Sequence, residues 1–184
     1  MTVENKDPAS SRLDRIQTIL PELGKTLLQL QSGDLGVETK SNSFDLLTKA
    51  DTASEARLSL FIVENFSEDS ILAEEGSPES GAAAAKDGYL WILDPIDSTT
   101  NFVNRLPVWA ISIGLMRHKE LVGGIVYAPG MDLCYRAEKD TGASCNGQPI
   151  SVNAKASMGE GIIATGFPYD RAKRAEPTCR ALEN

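Results

Sequence analysis

Near the start of the chain, Leu13, Ile16, Leu20, Leu23, Leu27 and Leu30 recur at alternating steps of three and four. That period marks a helix with one buried stripe, and it predicts helix over residues 12 to 31. Pro21 interrupts the stripe by removing a backbone donor, which leaves either one kinked helix or two abutting helices. From Val37 to Lys49, short apolar and polar alternation broken by Ser41-Asn42-Ser43 predicts a small hairpin or two short strands. A second long helix is predicted over residues 51 to 66. It opens at Asp51-Thr52 with Glu55 as the capping-box partner and buries Ala53, Ala56, Leu60 and Val63.

The pattern then changes to that of strands. Ser70 to Ala73 reads as a strand running into Glu74-Glu75-Gly76, and the small-residue stretch from Gly76 to Gly88 as a mobile loop. Tyr89 to Leu93 is a continuous apolar run between Gly88 and Pro95, as expected of a strand buried on both faces and ending at Asp94. Val108 to Met116, Leu121 to Tyr127 and Leu133 to Ala137 form a meander with turns at His118-Lys119 and Pro129-Gly130, and Asn146-Gly147 turns into one more short strand. The implied fold class is α+β, with helices layered on a largely antiparallel sheet. The texture shifts after Ser151, where Gly161 to Thr165 reads as a fresh strand. The division expected is an α+β domain over residues 1 to 155 and the start of an α/β domain, cut short, over 156 to 184.

Composition narrows the function. The chain has 184 residues, 41% of them hydrophobic and 24% charged, with no apolar run long enough to span a bilayer. The opening MTVENKDPASSRLDR has neither the basic nor the apolar part of a secretory signal, so the expected location is the cytoplasm. Cys134, Cys145 and Cys179 are widely and irregularly spaced, which suggests inert thiols and neither a disulfide framework nor a zinc site. A net charge of −8 argues against nucleic acid as a partner. It leaves room for an anionic substrate where divalent cations reverse the local sign.

Candidate chemistry is concentrated in Trp91-Ile92-Leu93-Asp94-Pro95-Ile96-Asp97-Ser98-Thr99-Thr100-Asn101-Phe102. Charge at the end of an apolar strand costs several kcal/mol unless compensated, and a shared divalent cation compensates two carboxylates at once. Pro95 keeps Asp94 extended, so the Asp94 carboxylate, the Ile96 carbonyl and the Asp97 carboxylate can turn toward one ion. These are hard oxygen donors with no His or Cys beside them. The cation expected is therefore Mg2+, with Mn2+ as the alternative. Ser98-Thr99-Thr100 opens a helix, whose free amides suit a phosphate. In isolation, Asp-Pro-x-Asp is more often a helix cap than a metal site. Here Glu74-Glu75 and Asp51 also stand at the edges of regular elements, giving three acidic clusters.

These residues also carry a resemblance. Ile92 to Phe102 resembles the first signature of the inositol monophosphatase family, and Leu72-Ala73-Glu74-Glu75-Gly76 is similar to the acidic strand end that precedes it there. Further likenesses are Asp45 to Asp51, Gly123 to Pro129, Gly142 to Gly147 and Ala164 to Tyr169, in order along the chain. The position of Ser98 is usually Gly or Ser in that family. The resemblance implies that Glu74, Asp94 and the Ile96 carbonyl hold one magnesium, that Asp94 and Asp97 hold a second, and that Asp51 and Thr99 orient and activate the attacking water. It further implies that Asp97, Ser98 and Thr99 receive the substrate, a small phosphorylated sugar or polyol with inositol monophosphate foremost. Glu75 would lie behind the ligands, Lys40 would either reach the site through water or pair on the surface, and His118 would be a solvated turn residue.

Members of that family continue into a Trp-Asp motif that supplies the last metal ligand, and this sequence reaches Asn184 without one. The resemblance thus implies a truncated member, weak or inactive alone, whose full-length form is compatible with a homodimer. Bisphosphate-nucleotide or fructose-bisphosphate phosphatase chemistry, or a non-catalytic binding module, are the alternatives.

Overall fold

The computed structural model describes residues 9–39, 46–76, 88–155, 157–162, 164, 176 and 179–180. The apolar stripe at the start divides into two helices, α1 (Ala9–Gln17) and α2 (Leu20–Gln31), which choose the abutting alternative. Thr18 and Ile19 form the break, and Pro21 sits in the first turn of α2, where its missing N–H costs nothing. Leu13, Ile16, Leu20, Leu23 and Leu27 are buried as the period requires.

Two short antiparallel strands follow, β1 (Glu38–Thr39) and β2 (Leu46–Leu47), paired Glu38 with Leu47 and Thr39 with Leu46. Helix α3 (Lys49–Asn65) begins earlier than its sequence suggests. Thr48 is the N-cap: its hydroxyl accepts from the Ala50 and Asp51 amides, and the Asp51 carboxylate accepts back from the Thr48 amide at 2.8 Å. The capping box is thus Thr48 with Asp51 and not Thr52 with Glu55. Its buried face also differs from expectation. Ala50, Asp51, Ser54, Glu55, Leu58, Ser59 and Ile62 point inward, while Ala53, Ala56, Leu60 and Val63 face out. The reason is that α3 turns a polar stripe toward the strand ends it serves.

Among the described residues the main sheet has seven strands in chain order: β3 (Ser70–Ala73), β4 (Tyr89–Asp97), β5 (Ala110–Arg117), β6 (Glu120–Ala128), β7 (Leu133–Glu138), β8 (Gly142–Cys145) and β9 (Gln148–Ile150). Among the described residues only β3 and β4 pair in parallel, and every later pair is antiparallel. Strand β4 does not stop at Asp94 but continues through a register shift to Asp97, where helix α4 (Thr99–Val103) begins. Nor is β4 equally buried on both faces. Tyr89, Trp91 and Leu93 are buried beneath the helices, while Leu90, Ile92 and Asp94 are half-buried on the other face. That outer face also carries exposed Leu72, Leu121, Val126 and Tyr135. His118 and Lys119 take positive φ in the β5–β6 turn, as do Asn146 and Gly147 in the β8–β9 turn.

Helix α1 crosses β6 at Gly123, where an added Cβ would stand 2.7 Å from the Leu13 side chain. On the same side, Arg12 is buried with Asp69: Nε meets Oδ2 at 2.8 Å and Nη2 meets Oδ1 at 3.0 Å. Asp69 also accepts from the Trp91 indole at 2.9 Å and the Tyr89 amide at 3.3 Å, and the Arg12 guanidinium lies 4.1 Å over the Tyr89 ring.

Some expectations fall outside the described residues. The loop over residues 77–87, Lys40, and most of the stretch beyond 164 are among them. Residues 161, 162 and 164 are described and lie in no strand, while 158–160 form a short 3-10 turn. No helix among the described residues is long and apolar enough to cross a membrane. Cys134 and Cys145 are half-buried and Cys179 is exposed, all as free thiols.

Removing Arg12 would leave Asp69 buried without its paired charge. Arg12→Ala is therefore expected to cost about 3 kcal/mol or more in urea unfolding at neutral pH; a loss below about 1 kcal/mol would show that the pair contributes little.

Candidate metal and phosphoester site

The parallel register of β3 and β4 aligns Ala73 with Leu93, and the Glu74 amide continues it by donating to the Leu93 carbonyl at 3.1 Å. The next side chains along the two strands, Glu74 and Asp94, therefore stand side by side on the outer face. They line a cavity of about 490 Å3 whose other walls include Leu72, Ile92, Ser112, Gly114 and Leu121. Burial raises the Asp94 carboxyl from its ordinary 3.8 to about 7, with the negative charges of Glu74 and Asp97 and a hydrogen bond to the Glu74 carboxyl adding to the effect. The Asp94 Oδ1 is buried without a hydrogen-bond partner. An orphaned, buried carboxylate oxygen beside a second carboxylate fits a hard cation.

Asp97 is exposed and lies beyond the register shift, where it pairs with Ala110. It acts on Asp94 through its charge. Among the described residues, no three His, Cys, Asp or Glu side chains form a ready ligand cluster. The structure thus brings Glu74 and Asp94 together and leaves Asp97 at the margin.

Thr99 connects this rim to α3. Its hydroxyl lies 3.3 Å from Asp51 Oδ1 and 3.2 Å from the Ile96 carbonyl, with one hydrogen to share between these two acceptors. Asp51 is 1% exposed, and burial raises its pKa against the hydrogen bonds from Thr48 and Thr99. Ser98 stands between Asp97 and Thr99 with φ of 73°, in the left-handed region, and its side chain makes no cap. Glycine takes that conformation without strain, whereas serine adopts it at a cost.

Sequence reasoning missed the residues behind the rim. The Ser54 hydroxyl donates to the Pro95 carbonyl at 3.1 Å, and the Glu55 carboxylate accepts from the Glu75 amide at 2.8 Å. Their signal was present: Asp51, Ser54, Glu55, Leu58 and Ser59 recur at helical spacing, a largely polar stripe that only a polar partner would bury. His118 is exposed in its turn.

Because the folded pKa of Asp94 lies above its unfolded value, its contribution to stability is present at low pH and is lost as pH rises toward 7. Without divalent ions, Asp94→Asn should be more stable than the parent at pH 8, by about 1–2 kcal/mol after solvent screening, with no such gain at pH 4. Chemical denaturation at both values checks this; an equal difference at the two pH values would sink it.

The comparisons with known proteins concern this same region. Residues 12–183 match the inositol monophosphatase family model. Inositol monophosphatase 1 of Homo sapiens is 33% identical over 165 residues, covering 90% of this chain and 60% of the relative. The chain therefore spans about 60% of the length of that curated relative. Among solved structures, the Thermotoga maritima IMPase superposes with a TM-score of 0.71 at 35% identity, covering 79% of this chain and 55% of its own. An IMPase/NADP phosphatase complexed with Mg2+ and phosphate gives 0.66 at 30% identity, covering 75% of this chain and 52% of its own. With nearly the whole length matched and the sheet superposed, the chain belongs to the inositol monophosphatase family.

Proposed function

We propose that this chain carries the metal-binding part of a magnesium-dependent phosphatase that hydrolyses inositol monophosphate to inositol and phosphate. The observation that carries the reading is the Glu74–Asp94 carboxyl pair with its orphaned Oδ1, next to the Thr99–Asp51 pair. The relatives are named inositol monophosphatases, and one neighbour is described with Mg2+ and phosphate.

Glu74, Asp94 and the Ile96 carbonyl would hold one ion, and Asp94 and Asp97 a second. When bound, magnesium supplies polarisation of the phosphoryl oxygens and a lowered pKa for water. The protein's part is to place the proton acceptors. Thr99 uses its single hydrogen toward Asp51 or the Ile96 carbonyl, which leaves a lone pair to accept a proton from the attacking water. Asp51, with its pKa raised by burial, is a better base than an exposed aspartate and receives the hydrogen that Thr99 gives up. Asp97, Ser98 and Thr99 border the place where the phosphate would be received. Occupancy requires Asp94 to be ionised, so affinity for Mg2+ should fall as pH drops below about 7.

The test is magnesium-dependent phosphate release from inositol 1-phosphate, in a form extended to the length of the relatives. Asp94→Asn should abolish it with the fold retained. Thr99→Ala should lower turnover by about 100-fold or more while Mg2+ affinity stays within about threefold. Unchanged turnover in Asp94→Asn would overturn the reading.

A further inference from the structure

Glu55 is 1% exposed on the inner face of α3, and the proposed chemistry gives it no task. Burying a carboxylate is costly, so its position calls for a reason. Its Oε2 accepts from the Glu75 amide at 2.8 Å. That amide belongs to the first residue beyond the last β3–β4 hydrogen bond, which the Glu74 amide makes to the Leu93 carbonyl at 3.1 Å. Gly76, one residue further, takes φ of 71° and turns the chain away. Glu74 is thus fixed on both sides: its own amide is held by β4, the strand that carries Asp94, and the following amide is held by α3, the helix that carries Asp51.

We propose that Glu55 is a positioning residue for the cation site: by holding the Glu75 amide it sets where the Glu74 carboxylate stands against Asp94, without touching the ion. This rests on the metal site described under the proposed function. Ser54 does the corresponding work one residue earlier in α3, holding the Pro95 carbonyl between Asp94 and Ile96. Both strand ends are thereby tied to one rigid helix. With the Glu55 acceptor removed, the Glu75 amide loses this hydrogen bond, the turn at Glu74–Glu75 relaxes, and the two carboxylates no longer meet a cation at a fixed spacing.

The experiment measures Mn2+ binding to the purified 184-residue chain by electron paramagnetic resonance, with folding followed separately by circular dichroism. Glu55→Ala should weaken Mn2+ binding by about tenfold or more, the scale typical of losing an outer partner of a ligand. Glu55→Gln retains an acceptor oxygen of the same reach and should bind within about threefold of the parent, a rescue that a general loss of stability would not give. Should Glu55→Ala not fold, Glu55→Asp, one methylene too short to reach the amide, carries the same expectation as the alanine variant. Glu64→Gln, on the exposed side of α3, should leave binding unchanged. Folded Glu55→Ala, or Glu55→Asp in its place, binding Mn2+ like the parent would overturn the proposal alone, as would a glutamine variant as weak as the alanine one. A parent chain whose Mn2+ binding is absent, or is not lost in Asp94→Asn, would overturn the metal site itself and this inference with it.

Discussion

Two carboxylates are forced together by strand direction. Because β3 and β4 pair in parallel and run in register, the residues following Ala73 and Leu93 must emerge next to each other on the same face. In water such a pair would separate; at the end of a twisted sheet it cannot. The surroundings both aggravate and contain the repulsion. Apolar walls desolvate Asp94, Asp97 adds a third negative charge, and α3 holds the adjoining backbone in place. The result is a carboxyl pair in which Asp94 keeps its proton up to about pH 7.

The helix that contains this arrangement is built against ordinary burial preference. Its inward stripe includes Asp51, Ser54, Glu55 and Ser59, and the site-facing groups each have a specific task at a strand end or at α4. Leu60 and Val63, which a hydrophobic count would place inside, remain exposed. Packing here yields to the satisfaction of backbone groups at the places where β3 and β4 leave the sheet.

That conflict explains what could be read from the sequence and what could not. The Leu13 to Leu30 stripe, the meander from Ala110 to Glu138 and the Asn146-Gly147 turn follow from period and turn chemistry alone, and each appears with small shifts at its ends. The acidic segment around Asp94 and Asp97 was legible because charge directly after an apolar run has few explanations. The face of α3 was misread because periodicity weighs apolar residues and ignores polar ones whose partners lie far away in sequence. Glu55 and Glu75 are 20 residues apart, and Ser54 and Pro95 are 41 apart. Nothing local announces these contacts. The positive φ of Ser98 was likewise hidden, since serine carries no conformational label of its own.

The close fit of α1 over β6 has a consequence for the order in which the chain acquires its shape. Leu13 rests against Gly123, and Arg136 of β7 reaches back across 126 positions to the Ser10 carbonyl. During synthesis at roughly 5–20 residues per second, the first helix must wait on the order of ten seconds for the strands that cover it. Its buried apolar residues, Leu13 and Ile16, lack that cover throughout the interval. The helix thus completes its packing only against strands that follow far behind it in the chain.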